Sequence, residues 1–338
     1  ISTASDVSHN LLEIGADSFI ADAVILGEHD VKNEVLHLKN TRIGNTCFVG
    51  NSGLIPQGYH LKDKTLIGVL SKAPEEELQA AQENVDWFGS PPIALPSRQK
   101  MAGFEDKRTF SPSFGLKLSR AVVEGLRIIL PQTCIIICSV LLIAYAHDLL
   151  QMSIGKLLLY IPMYYLFFMG IPLFLVTVLL KWVLVGRYKT AAYPMYSLKV
   201  WLSEAITSFH EALSVPFLLD ALRGTMWLPL AMRLLGVKTG KRVWLNTTDI
   251  TEFDMVHIGS GAMLNEDCGP QTHLFEDRIM KIGSVSIGEK TTIGSKTIIL
   301  YDSVLGKEVN IGSLSLVMKG ESIPDHSSWY GSPTEPHH

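Results

Sequence analysis

The residues best equipped for chemistry in this chain are two histidines set 244 positions apart, His29 and His273. Imidazole titrates near neutrality, so either ring can take a proton from an amine or hydroxyl as it attacks an acyl thioester. Backbone N–H groups of a neighbouring turn would hold the oxyanion that forms. Asp30 follows the first histidine, and Glu276, Asp277 and Arg278 follow the second, where they can orient the ring or bind a substrate ammonium. Both groups also have plainer readings. A histidine at a junction can serve only to fill it by hydrogen bonding, and an acid–base run is commonly a surface ion cluster worth little.

The histidines belong to a longer repetition. Ile14-Gly15, Ile43-Gly44, Val49-Gly50 and Ile67-Gly68 return 244 residues on as Ile258-Gly259, Ile287-Gly288, Ile293-Gly294 and Ile311-Gly312. Leu70-Ser71 returns as Leu314-Ser315, and Trp87-Phe88-Gly89-Ser90-Pro91 is echoed by Trp329-Tyr330-Gly331-Ser332-Pro333. Two related modules are implied, with chemistry at paired sites. Val304 stands where His60 would repeat and Glu13 where His257 would, which assigns both histidines to solvated loops. A zinc triad has only His29, His37 and His60 to draw on in the first module. Their counterparts are His273, Lys281 and Val304, so the ligand count argues against a metal. Trp87 and Trp329 end their modules, where an indole can roof an acyl-pantetheine channel or, more simply, cap the open core of the last coil.

A spacing of six shows what holds these residues. Ile287, Ile293, Ile299, Leu305 and Ile311 fall in one phase, whereas a helix stripe would recur every three or four residues. Such hexads build a left-handed parallel β-helix. Each triangular coil has three six-residue faces, one aliphatic points inward per face, and a small residue beside it allows the corner. The first copy keeps Ile43, Val49, Ile55, Leu61 and Ile67 in phase but lacks a glycine after Leu61, so its rungs are less sharply defined. Pro74 to Gln82 reads as a short helix, with proline at its start and acids in the first turn.

Composition points to lipid. Hydrophobic residues make up 47% of the chain and mean hydropathy is +0.23, high for a soluble protein. Ile128 to Ala146 and Leu157 to Leu180 are free of charge, and each approaches or exceeds the roughly 20 residues that cross a hydrocarbon core. Pro131, Pro162 and Pro172 predict kinks. Basic residues lie outside the pair (Lys107, Arg108, Lys117, Arg120, Arg127 before it; Lys181, Arg187, Lys189 after it), and the loop between has only Lys156 against Asp148. That bias makes a multi-pass protein with both modules cytoplasmic. Ala191 to Gly236 reads as amphipathic helices on the membrane surface, broken at Pro194, Pro216 and Pro229, with a cytoplasmic helical subdomain as the rival reading. Pro91 to Pro96 and the polar residues after it read as a linker.

The fold class is therefore mainly β with membrane α: two left-handed parallel β-helix domains joined by a transmembrane helical hairpin and amphipathic helices. Its expected boundaries are 1–96 for the first solenoid, 97–120 for the linker, 121–190 for the hairpin, 191–236 for the interfacial helices and 237–338 for the second solenoid. A net charge of −4 without a basic run argues against nucleic acid. Four cysteines without a pairing pattern read as free thiols in a reducing compartment. The opening Ile-Ser-Thr-Ala reads as part of something longer.

Leu234 to Val243 resembles the entry into hexapeptide-repeat acyltransferases, and Tyr330-Gly331-Ser332-Pro333 resembles their closing turn. A longer resemblance runs through Gly224 to Pro229, Thr272 to Arg278, Leu314 to Glu321 and Phe48 to Ser52. These segments are similar to the C-terminal region of membrane-bound non-ribosomal peptide synthetases of the ε-poly-lysine synthetase type. Members of that family carry an adenylation and a carrier domain, then tandem acyltransferase-like domains interleaved with pairs of membrane spans. The present chain has two such domains and one hairpin, without adenylation or carrier sequence. The resemblance implies amide-bond formation between aminoacyl units delivered on a carrier-protein phosphopantetheine thioester, and it adds Asn51 and Ser52 to the candidate substrate contacts. No cofactor would be bound by the chain itself. Its partners would be a carrier protein or upstream adenylation–carrier domains, the lipid bilayer, and like chains in an oligomer. Two alternatives stand: a coenzyme A-dependent O- or N-acetyltransferase consuming acetyl-CoA, and a non-catalytic membrane scaffold for upstream synthetase domains.

Overall fold

The computed structural model describes residues 9–75, 86–95, 104–146, 152–276 and 278–337. The chain divides into two compact units, residues 1–101 with 331–335 and residues 102–330 with 336–338. The expected helix over Pro74 to Gln82 falls mostly outside the described residues.

Inward-pointing hexads form the axis of each solenoid. In the second module Ile287, Ile293, Ile299, Leu305, Ile311 and Ile323 are at most 3% exposed, and each such burial contributes on the order of 2 kcal/mol. Strands 18 residues apart stack in parallel: Val285–Ile287 on Ser303–Leu305, Thr292–Ile293 on Asn310–Ile311, and Ile298–Leu300 on Leu316–Val317. Three sheets of five, six and three strands result, their stacked coil strands parallel, the hexapeptide-repeat left-handed β-helix. The first module is as regular. Ile43, Val49, Ile55, Leu61 and Ile67 are at most 4% exposed, and Ile43 pairs with Leu61 across one coil step.

Stacking explains the glycines. A Cβ on Gly288 would lie 2.1 Å from the carbonyl oxygen of Gly306 in the next coil. His60–Leu61 is the outermost described strand of its sheet, so Lys62 has no described strand above it to meet and glycine is dispensable there. Corner residues repeat as well. Thr46, Ser52, Lys64 and Leu70 and their counterparts Lys290, Lys296, Glu308 and Leu314 all take left-handed φ values between 50° and 61°.

Each solenoid is interrupted once by an antiparallel hairpin arm. Arm 1 pairs Asp30–Lys32 with Val35–His37, and arm 2 pairs His273–Glu276 with Ile279–Ile282. Their registers coincide at the offset of the repeat. Val31 opposite Leu36 in arm 1 becomes Phe275 opposite Met280 in arm 2, and the left-handed turn residues Glu34 and Arg278 hold the same place.

Helix α1 spans Phe114–Ala146 and helix α2 spans Ile154–Val185, both long and apolar enough to cross a membrane. Only 11% and 33% of their most apolar windows are buried inside the protein. That is a large apolar surface for water to cover. Helix α1 begins inside the stretch expected to be linker, because Arg120 finds Glu124 and Glu204 and Arg127 finds Glu124. Helix α2 runs past Leu180 because Lys181 is fully buried, 2.7 Å from Asp254 and over the Trp182 ring. Pro131 lies inside α1, and a π-helical turn at Leu166–Gly170 separates Pro162 from Pro172.

The region after α2 corrects the sequence reading in part. Ala191–Pro194 is a strand that adds to the outer edge of arm 2, with Tyr193 opposite Met280. Helix α3, Leu198–Phe209, follows and continues as a π-helix over His210–Leu219, then comes helix α4, Trp227–Leu235. Helix α3 packs Val200, Trp201 and Ile206 into the core shared with the second solenoid. Helix α4 buries Leu228, Met232 and Leu235 yet leaves Trp227, Leu230 and Leu234 exposed, apolar on both sides. Ile93–Leu95, expected as linker, is a strand antiparallel to Asp86–Phe88.

Candidate functional site

Three separate elements of the second unit meet at His273. The coil strand Gly269–Gln271 delivers Thr272 and His273 to the base of arm 2, the segment before Val256–Ile258 supplies Thr251 and Glu252, and α3 supplies Ser203. His273 Nδ1 lies 2.8 Å from Glu252 Oε2. The same oxygen accepts the hydroxyls of Thr251 and Thr272, each at 2.7 Å, and Oε1 accepts Ser203 Oγ at 3.0 Å. A fully buried carboxylate would cost several kcal/mol without such partners. Burial pushes the Glu252 carboxyl up, but the charge and hydrogen bond of His273 and the two threonine hydroxyls outweigh it and hold it at about 2.

An ionised acceptor on Nδ1 keeps the proton there, which makes Nε2 the basic nitrogen of the neutral ring. The His273 side chain is 21% exposed, so the ring is reachable, and Phe275 stands edge-on beside it at 5.8 Å. The polar contacts continue inward. Ser203 Oγ is 3.4 Å from the Tyr188 hydroxyl, which burial and then Glu252 push up, and the Tyr188 N–H donates to Asp254, the partner of Lys181. One connected network thus joins the end of α2 to the imidazole.

His29 occupies the same place at the base of arm 1 but not the same environment. It is exposed and has no hydrogen-bond partner among the described residues. Ser8, outside the described residues, is the counterpart of Glu252 and brings no carboxylate. Asp30 does not orient His29. It turns to Lys32 at 2.6 Å, which holds its carboxyl below the usual range. The paired places therefore differ in what surrounds the ring.

Other sequence candidates also resolve differently. Glu276 is not the carboxylate that orients His273; it is clasped by Lys281 and, at 2.8 Å, by Lys319, which together overcome burial and hold it low. Arg278 lies over the Phe110 ring at 4.9 Å, and its carbonyl accepts the Met195 N–H. Asp277 is outside the described residues. Asn51 and Ser52 form a coil corner, where the Ser52 N–H donates to Asp22 and the Asn51 carbonyl accepts from Leu70. Trp87 is 3% exposed inside the first core, and Trp329 packs on the second core with its indole N–H on Ser327. His60 and His257 lie on strands, not loops.

Glu252 was missed because it has no phase in the hexads and no acidic counterpart 244 residues earlier. Its one signal was the polar run Thr247 to Glu252 before a coil begins. Among the described residues no three His, Cys, Asp or Glu side chains gather as a metal site would require. All four cysteines are free, and burial pushes the Cys47 and Cys268 thiols up, away from nucleophilic use. An open groove of about 610 Å³ runs beside Arg233, Lys238 and His257, and none of its lining residues belongs to the His273 network.

No protein-family model matches the chain. Over 337 residues, 99% of its length, it is 45% identical to delta-poly-L-ornithine synthetase of Acinetobacter baumannii (strain AB307-0294), and it spans about 25% of that protein's length. The chain is a homologue of that part of a poly-amino-acid synthetase. Among solved structures it is similar to a maltose O-acetyltransferase from Clostridium difficile 630, with TM-score 0.27, 19% identity, and 32% of this chain and 73% of that one covered. A hexapeptide-repeat acetyltransferase from Vibrio cholerae gives TM-score 0.28 and 12% identity, covering 35% and 84%. A serine acetyltransferase from Neisseria gonorrhoeae gives 0.25 and 14%, covering 66% and 88%.

Proposed function

We propose that this chain is the membrane-tethered acyl-transfer region of a homopoly-amino-acid synthetase and that its amide bond is made at His273. The buried Glu252–His273 pair carries the reading, set on a chain homologous to a poly-ornithine synthetase. The donor is an aminoacyl thioester on the phosphopantetheine arm of a carrier protein, and the acceptor is an amine. Nε2 of His273 takes a proton from the attacking nitrogen as the C–N bond forms. The C–S bond then breaks, and the same proton passes to the departing thiolate. General-base help of this kind is worth roughly 10²- to 10⁴-fold.

Glu252 is a positioning residue. Its carboxylate, held low by His273 and by the threonine hydroxyls, stabilises the imidazolium while the proton is in transit. The second module is the working one. Helices α1 and α2 cross the bilayer as a hairpin, and the flanking lysines and arginines keep both modules on the cytoplasmic side, where a carrier can reach them.

The reading is tested with the full chain in lipid nanodiscs, supplied with an aminoacyl-loaded carrier and a free amine acceptor, by following amide product and released thiol. His273→Gln lowers product at least about 100-fold, far more than the modest fall in thermal midpoint that follows from removing one partner of the buried Glu252 carboxylate. Wild-type turnover by this variant would remove His273 from the chemistry. Consumption of acetyl-CoA without a carrier would replace the reading with coenzyme A-dependent acetyl transfer.

A further inference from the structure

The two arms differ in what covers them. In the second module Ala191–Pro194 lies antiparallel along the outer edge of Ile279–Ile282, pairing Ala191 with Ile282, Tyr193 with Met280 and Pro194 with Ile279. Those three arm residues are at most 5% exposed. Their counterparts in the first module are Leu38, Leu36 and Val35, and each is more than half exposed. Among the described residues Val35–His37 pairs only with Asp30–Lys32, so no described strand takes the backbone groups of its other edge, beside the exposed Val35, Leu36 and Leu38. A two-stranded ribbon of this kind is marginal in water, and an open apolar edge is a template for another strand.

We propose that the free edge of arm 1 is a docking site for one antiparallel strand of the Ala191–Pro194 type. The occupant is extended, uncharged and delivered by a membrane helix, and it comes from a longer synthetase polypeptide of the kind the poly-ornithine relative represents. Three observations carry this. The arms share one register, residue for residue. The covered arm shows the chemistry of its cover, two alanines, a tyrosine and a proline laid against Ile282, Lys281, Met280 and Ile279. The cover starts six residues after the end of α2, so a membrane helix is what brings it there. Charge does not oppose docking, because Asp30 and Lys32 already pair with each other. The inference is independent of the acyl-transfer reading.

The probe is a synthetic peptide with the sequence of residues 190–196, added to the full chain in nanodiscs carrying a photoreactive phenylalanine derivative at Leu36 or, as a control, at Val304. Both positions are exposed, so neither replacement disturbs a core. Saturable crosslinking at position 36 and none at 304 is the expected result. Main-chain bonds supply the affinity in strand addition, so backbone N-methylation of the peptide lowers the yield about tenfold. Leu38→Lys lowers it as well. Equal labelling at 36 and 304, or labelling indifferent to N-methylation, overturns the proposal. Crosslinks between two whole chains through position 36 would also overturn it, making the occupant a second copy.

Discussion

The first and second modules share their coils, their corner conformations and the register of their arms, yet only one of them holds an organised histidine. His273 rests on a buried carboxylate that Thr251, Thr272 and Ser203 also satisfy, while His29 stands in solvent. The decisive partners come from outside the repeating pattern: Glu252 from the polar segment before the coil, and Ser203 from a helix packed beneath it. Duplication has copied a frame. The carboxylate behind the histidine reaches one copy through what packs against it, and among the described residues a strand pairs with the edge of arm 2 and none with that of arm 1.

The largest effect that can sharpen this contrast is at Glu252. Replacing it with glutamine removes the anion and keeps the shape, which lowers amide formation by roughly 10²- to 10⁴-fold with little change in KM; rates on a carrier-loaded thioester check it. Next comes the latch between α2 and the second module. Asp254→Asn leaves Lys181 buried without its counter-charge and destabilises the second unit by about 3–5 kcal/mol, visible as a lower thermal midpoint that Lys181→Met, Asp254→Asn together partly restores.

The smallest effect is a pH term. His210 lies buried on the π-helical continuation of α3, with Nε2–H donated to the Thr248 carbonyl, and burial pushes its pKa from 6.5 down to about 4. The folded protein thus keeps this ring neutral while the unfolded chain protonates it below 6.5. Its contribution is complete above 6.5 and lost as pH falls towards 4, on the order of 3 kcal/mol. Thermal midpoints between pH 7 and 4.5 fall steeply in the wild type and less so in His210→Leu. A slope unaltered by that substitution would place the pH sensitivity elsewhere.

Periodicity made the solenoids legible. An inward aliphatic every six residues, with a glycine wherever the next coil stacks, leaves a mark that a single sequence displays, and Lys62 departs from it only where no described strand follows. The arms left no such mark, because their antiparallel pairs carry neither hexads nor glycines. Ala191–Pro194 passed for the start of an amphipathic helix because a four-residue strand is fixed by its partner some 90 residues away, at Ile279–Ile282, and not by its own pattern. Glu252 was invisible for a related reason. It is 21 residues from His273, and only the folded coil and arm bring the two together. The offset places the two histidines at equal positions on their arms, but an equal place in the coil says nothing about the carboxylate behind the ring.

One measurement bears most directly on the account: amide formation by His29→Gln and His273→Gln, prepared side by side in nanodiscs and given the same carrier-loaded thioester. The first variant keeps the wild-type rate and the second falls at least about 100-fold. Equal losses in the two would mean that both modules carry chemistry, and the asymmetry argued from Glu252 would be wrong.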